Sequence, residues 1–409
     1  MVIKVSPLAP KTLKKTYQIP GVCVASTHCG LKKNRKDDLV LIKFDKPSEI
    51  FSVFTKSKTP GAPIIWNKSI KKKGKVSAIL VNSGNANVFN GTKGTMTVKK
   101  IVQNLSKTIG IDKKEIYLAS TGVIGEPLDP NKIIKKIPYL LKNLSNNSKS
   151  WLKAANAIRT TDTFPKVYSD KLTVDNSKIF INGIAKGSGM IAPNMATMLS
   201  FIFTNAVISK KEFKTKFFKI VEKTFNSITV DNDTSTSDMV LLIFVKNKIN
   251  PKLELNKKKE FFIKLENLMT KLSHFIVKDG EGASKFITIK VEGAKNYNDA
   301  KKLAFLIANS LLFKTAMAGS DSNWGRIIMA LGKGTVPLDY KKISIKFGEF
   351  FVFNNEKNLS ISNTSQINKY LRGNEIFISI KIGKQNGEAK VWTCDLTKDY
   401  ISINADYRS

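Results

Sequence analysis

Two apolar runs without alternation constrain this chain most: MLSFIFTNAVI at 198–208 and MVLLIFVKN at 239–247. A strand open to water on one face carries polar residues at every second position, so runs like these predict interior strands covered on both faces. LVLIKF at 39–44 and SAILVNSG at 77–84 read the same way, and KLTVDNSKIFINGIAKG at 171–187 reads as a hairpin about Asp175-Asn176. Between them lie segments of helical period: TVKKIVQNLSKTIG, NKIIKKIPYLLKNL and the long KKEFFIKLENLMTKLSHFIVKDGEG, which ends in a glycine-rich turn. Ser209 and Glu212 form a capping box before the helix KKEFKTKFFKIVEKTF. Alternating segments of this kind predict mixed α/β (α+β) layers.

A chain of 409 residues is long for one domain. We expect a core over 1–285, a C-terminal α/β lobe over 286–391 beginning at KFITIKVEG, and a tail over 392–409. The lobe takes in the helix around DAKKLAFLIANSLL and the strands KISIKFGEFFVF, IFISIKIG and EAKVWTCDL. No stretch approaches the roughly 18 apolar residues of a membrane helix, and MVIKVSPLAPK at the start lacks the apolar segment of a signal peptide. With Cys23, Cys29 and Cys394 widely spaced, the expectation is a soluble cytoplasmic protein without disulfides or structural zinc.

The formal charge of +36 invites a nucleic-acid reading, because clustered cations bind phosphate. Of 68 basic residues, however, only five are arginine (Arg35, Arg159, Arg326, Arg372 and Arg408), the residue suited to bidentate recognition of phosphates and bases. Lysine is spread along the whole chain with no nucleic-acid-binding motif beside it, so a nucleic-acid partner is not expected. A polyanion-binding protein with an inert core stays open as a reading.

The histidines narrow the chemistry. His28 and His274 are the only two, and neither lies in a turn that resembles a catalytic elbow. His274 sits on an apolar helical stretch and reads as a core residue, while His28 and Cys29 are adjacent and point apart on an extended chain. No GxSxG, phosphate-binding glycine loop or paired-histidine metal motif occurs. What remains is a nucleophile that needs no histidine. In KGSGMIAPNMATMLS, Thr197 follows the small Ala196, with Gly187, Gly189 and Pro193 upstream. A threonine at a new N-terminus carries an α-amine of pKa near 8 that can take its own hydroxyl proton. An internal Thr197 reaches that state by attacking the Ala196 carbonyl, shifting the acyl group from N to O, and letting water hydrolyse the ester. The alternative is a plain loop feeding a core strand, with Thr197 hydrogen-bonded to neighbouring backbone.

KGSGMIAPNMATML resembles the self-cleavage motif of the ornithine acetyltransferase family of arginine biosynthesis, the bifunctional glutamate N-acetyltransferase type. Further blocks agree in order: IPGV, VNSGNAN, STGVIGEPL, TTDTFPK, ITVDNDTSTSD, DGEGASK, NWGRI and the final NADYRS. Together they span nearly the whole chain.

The resemblance implies a layered αββα-type sandwich with a smaller C-terminal lobe. It implies self-cleavage between Ala196 and Thr197 into an α chain (1–196) and a β chain from 197, assembled two of each. Thr197 would then carry acetyl from N2-acetyl-L-ornithine to L-glutamate, with no cofactor and with acetyl-CoA as a further donor in bifunctional members. Thr121 and Gly122 would form the oxyanion hole. Thr163, Lys186, Thr197, Glu281, Asn404 and Ser409 would contact substrate, the tail returning to the site. An N-terminal-threonine amidohydrolase or aminopeptidase on a related fold keeps Thr197 but lets water resolve the acyl-enzyme, and remains the alternative.

Overall fold

The computed structural model describes residues 4–174, 177–192, 198–247, 250–251, 253, 255–354, 359–360 and 364–406. Its first sheet contains β1 (Val22–Thr27), β2 (Leu39–Phe54), β3 (Lys75–Asn85), β4 (Ile116–Val123), β5 (Lys166–Val174), β6 (Ser177–Lys186), β7 (Leu199–Thr204) and β8 (Met239–Phe244). The order is β4-β3-β2-β8-β7-β6-β5, with β1 also on β2. Only β3/β4 and β7/β8 pair in parallel. The expected hairpin is present as β5/β6, antiparallel through Val174 and Ser177, while Asp175 and Asn176 themselves lie outside the described residues.

This one sheet folds back on itself. β2 pairs with β3 over its first half and with β8 over its second, and its register with β3 shifts between Lys43 and Ser48. One middle core therefore joins Val40, Ile42, Ile79, Val81 and Tyr117 to Leu199, Phe201, Phe203, Leu241 and Ile243 from the other half. The alternate residues face outward into helices. Leu39, Leu41, Leu80 and Leu118 meet the helix Gly91–Ile109, and Ile202, Val240 and Leu242 meet the helices Lys210–Lys223 and Leu255–Lys278. Helix, half-sheet, half-sheet, helix is the αββα arrangement, and it explains why the 198–208 and 239–247 runs have no polar alternation. Ser209 stands at the N-cap of Lys210–Lys223, but its side chain makes no capping hydrogen bond, and the Glu212 side chain lies outside the described residues.

A second sheet follows: β9 (Phe286–Ala294), β10 (Ser344–Phe347), β11 (Phe350–Asn354), β12 (Leu359–Ser360), β13 (Glu375–Lys381) and β14 (Gly387–Cys394), in the order β12-β11-β10-β13-β9-β14. Its core takes in the helices Tyr297–Ala308, Leu311–Ala318 and Gly325–Gly332. The limit expected at 391/392 falls inside β14, which pairs with β9 as far as Cys394↔Phe286. After β14 comes the helix Lys398–Ala405, and just before it Thr397 Oγ1 donates at 2.7 Å to the carbonyl of Gly282, in the turn between the helix Leu255–Lys278 and β9.

Candidate active site

At the carboxyl end of β4, Gly122 has φ 130°, and a Cβ there would sit 2.4 Å from the Gly84 carbonyl carbon of β3. No side chain fits, so β3 and β4 close together and leave the neighbouring Thr121 4% exposed. From the folded-back half, β6 ends at Lys186, whose Nζ donates to Thr121 Oγ1 at 3.3 Å. An ammonium donating to that oxygen leaves the Thr121 O–H free to donate elsewhere. Burial lowers the pKa of Lys186, and Asp162 pulls it back up.

Around them lies a cavity of about 130 Å³, to which Gly189, Met190, Glu281 and Asn404 also contribute. Glu281 follows the long helix Leu255–Lys278, and its backbone N–H donates to the Ser188 carbonyl at 3.0 Å. Gly189 lets the Glu281 carboxylate approach closely, since a Cβ there would lie 2.3 Å from a carboxylate oxygen and push it aside. The C-terminal helix supplies Asn404, whose Nδ2 donates to Glu281 Oε2 at 2.8 Å. Thr121, Gly122, Lys186, Glu281 and Asn404 thus come together from four distant parts of the sequence.

Thr163 is not one of the cavity's lining residues. Its hydroxyl and its N–H both donate to Asp279, at 2.5 and 2.9 Å. It faces a neighbouring cavity of about 520 Å³, while Thr160 and Thr161 line the first. Ala196, Thr197 and Ser409 lie outside the described residues, as does Pro193. On the approach to the cleavage point, Gly187 has φ 145° and Met190 φ 56°, a conformation rare for a side-chain-bearing residue. Met190 is held there by Asp231, whose carboxylate accepts the Met190 and Ile191 N–H groups at 2.6 and 2.8 Å. Burial lifts Asp231 to about 6.

Bound to the Gly187 turn next to Lys186, and unforeseen from the sequence, is a buried ion cluster. Lys166 Nζ lies 2.6 Å from Asp162 and 2.5 Å from Asp279, all three side chains being 0% exposed. Asp162 also accepts the Gly187 N–H at 2.7 Å. Burial alone would raise the Asp162 pKa, but Lys166, Lys186 and that N–H outweigh it and hold the carboxyl well below the usual range. The cluster ties the 160–166 segment, the Gly187 turn and the end of the long helix into one support. Its members all stand in blocks that carried the resemblance, TTDTFPK and DGEGASK, as do Ser235, Thr236 and Ser237, which line the cavity from ITVDNDTSTSD.

Neither histidine takes part. His274 packs against Phe286 and Trp392, burial lowers its pKa to about 3, and its Nε2 has no partner among the described residues. His28 Nδ1 lies 3.0 Å from Asp38.

A buried threonine hydroxyl, a buried ammonium and a carboxylate thus line one small cavity, a set of groups able to hold a small charged substrate. The ArgJ family model matches residues 23–409. The arginine biosynthesis bifunctional proteins ArgJ of Bartonella quintana and Brucella suis are 42% and 43% identical, each alignment covering 100% of both chains. The chain belongs to the ArgJ family. Among solved structures it is similar to an ArgJ protein from Bacillus halodurans, at 37% identity and TM-score 0.48 over 51% of this chain and 99% of that one. It is also similar to an ornithine acetyltransferase from Mycobacterium tuberculosis complexed with ornithine, at 23% identity and TM-score 0.37 over 46% and 95%.

Proposed function

We infer that the chain is an acetyltransferase of arginine biosynthesis, moving acetyl from N2-acetyl-L-ornithine to L-glutamate through an acetyl-Thr197 intermediate. The observation that carries this reading is the meeting of Thr121, Gly122, Lys186, Glu281 and Asn404 around one cavity, with Gly189 and Met190 of the segment leading to residue 197 in its wall. Self-cleavage between Ala196 and Thr197 frees the Thr197 α-amine, which takes the hydroxyl proton as Oγ attacks the acetyl carbonyl. Thr121 and the Gly122 N–H receive the oxyanion, and collapse releases ornithine with that proton. Glutamate reverses the sequence: its neutral amine attacks the acetyl-threonine ester, N-acetylglutamate leaves, and the hydroxyl is restored.

Lys186 suits the α-carboxylate that both substrates carry, and Glu281 suits the side-chain ammonium of N2-acetyl-L-ornithine. Both substrates set that carboxylate beside the nitrogen that gives or takes the acetyl group, so one pocket serves each in turn. The relay draws on protein groups alone, with no metal or organic cofactor. Acetyl-CoA can load the same threonine by thioester exchange, which is the second activity of a bifunctional enzyme. We place the reaction in the cytoplasm, carried out by two α and two β chains.

The test is transfer of labelled acetyl from N-acetylornithine to glutamate, with initial rates at several fixed concentrations of each. Parallel double-reciprocal lines and labelled N-acetylglutamate are expected. Release of free acetate at a rate independent of glutamate would instead make the enzyme a hydrolase.

A further inference from the structure

Asp238 has no part in the relay above, yet it holds the residue that directly follows the cleavage point in the sequence. It closes the hydroxyl-rich stretch Ser235–Ser237, is 0% exposed, and immediately precedes β8. Its Oδ1 accepts the backbone N–H of Met198, the residue directly after Thr197, at 2.8 Å. Met239 N–H donates to the Met198 carbonyl at 3.0 Å, and Thr55 N–H to the Asp238 carbonyl at 3.0 Å, so the carboxyl and Met198 are held against each other by backbone bonds. Thr55 Oγ1 is committed to the Ser235 carbonyl at 2.7 Å. Asp238 Oδ2 is buried and has no hydrogen-bond partner among the described residues.

A charged carboxylate with a bare, dry oxygen is costly, and the neutral acid is the form that tolerates it. Burial accordingly raises the Asp238 pKa well above the usual carboxylate range, outweighing the Met198 N–H, the charge of Lys186 on β6 and the neighbouring Ser235 and Thr55 hydroxyls, all of which pull it down. A neutral acid carries an O–H, and self-cleavage needs a proton donor at this place.

Building on the self-cleavage reading, we propose that Asp238 is the general acid of the cut between Ala196 and Thr197. In the N-to-O shift, Thr197 Oγ forms a bond to the Ala196 carbonyl carbon and the C–N bond to Thr197 breaks. The departing nitrogen already bears one hydrogen and must gain a second to leave as an amine. Asp238 supplies it, and the proton lost by the Thr197 hydroxyl returns to the carboxylate. Water then hydrolyses the ester to the Ala196 carboxylate and the free Thr197 hydroxyl. The acid is restored, and no oxidant, reductant or metal is required.

The full-length chain is pulse-labelled in a cell-free extract, transferred to buffers from about pH 6 to about pH 10, and its splitting followed on denaturing gels for wild type, Asp238→Asn and Thr197→Ala. Asparagine keeps an acceptor for the Met198 N–H but has no acidic proton. The expected result is splitting slowed by about a hundredfold or more in Asp238→Asn. The wild-type rate should also fall on the alkaline side as the acid ionises, and Asp238→Asn should lack that limb. Asp238→Asn splitting within about threefold of wild type, or a wild-type rate that rises steadily with pH, overturns the proposal. The wild-type profile decides the matter even if the variant fails to fold. A wild type that stays whole at every pH removes the self-cleavage reading itself, and this proposal with it.

Discussion

Replacing Lys166 by methionine tests whether the buried cluster holds the site together. Methionine has nearly the same length and no charge, so Asp162 and Asp279 keep their burial and lose the cation that lies 2.6 and 2.5 Å from them. Removing one partner from a buried ion pair costs about 3–5 kcal/mol, because the remaining charge is dry and unpaired. At about 2.1 cal/mol/K per residue, a chain of 409 residues unfolds with an entropy of about 0.9 kcal/mol/K, so the thermal midpoint should fall by about 3–6 °C. The sign of the pH effect follows from Asp279. Burial already raises its pKa against the pull of Lys166, and removing the cation raises it further. A protonated Asp279 needs no cation, so the deficit of the variant should shrink on going from pH 8 to pH 5. Calorimetric melts of both proteins at the two pH values provide the measurement. A midpoint within 1 °C of wild type at pH 8, or a deficit that grows on acidification, would refute the reasoning.

Three further outcomes are expected. Thr121→Val keeps the shape of the β4 end and loses the hydroxyl; kcat for acetyl transfer should fall about 10²–10³-fold, as for loss of one oxyanion donor, with Thr121→Ser restoring most of it. Asn404→Asp sets a carboxylate against Glu281 Oε2, now 2.8 Å from the amide, so KM for glutamate should rise about tenfold while the melting temperature barely moves, as steady-state kinetics and melts will show. Asp231, at about 6 in the fold against 3.8 when unperturbed, binds its proton more tightly folded than unfolded. Its contribution to stability is thus fully present below about pH 4 and lost as pH rises through about 6. Relative to Asp231→Asn in the Thr197→Ala background, urea unfolding should lose up to about 3 kcal/mol between pH 4 and pH 7.

What could be read from the residues follows the range of the forces involved. The runs at 198–208 and 239–247 announced interior strands because both faces of β7 and β8 are covered, and burial on two faces is written in the strand itself. NKIIKKIPYLLKNL reads as one helix and forms two, Pro130–Ile134 and Ile137–Lys142, because Pro138 cannot donate within a continuous helix and instead opens the second. DAKKLAFLIANSLL likewise divides where Ser310 caps a new helix. The folding-back of the first sheet turns on a register shift in β2 and has no local pattern. The resemblance placed Thr121, Gly122, Lys186, Glu281 and Asn404, which do converge. It also named Thr163, whose hydroxyl is taken by Asp279, 116 residues away. Lys166 and Asp238 were indistinguishable in the sequence from surface charges, since only tertiary packing makes them dry.

The account rests most heavily on the cut before Thr197. The direct measurement is the denatured mass of the purified wild-type protein beside Thr197→Ala. The account predicts two fragments for wild type, 1–196 and 197–409, and a single chain of 45.5 kDa for the variant. Two intact chains of equal mass would contradict it, leaving Thr197 without the free amine on which the acetyl relay depends.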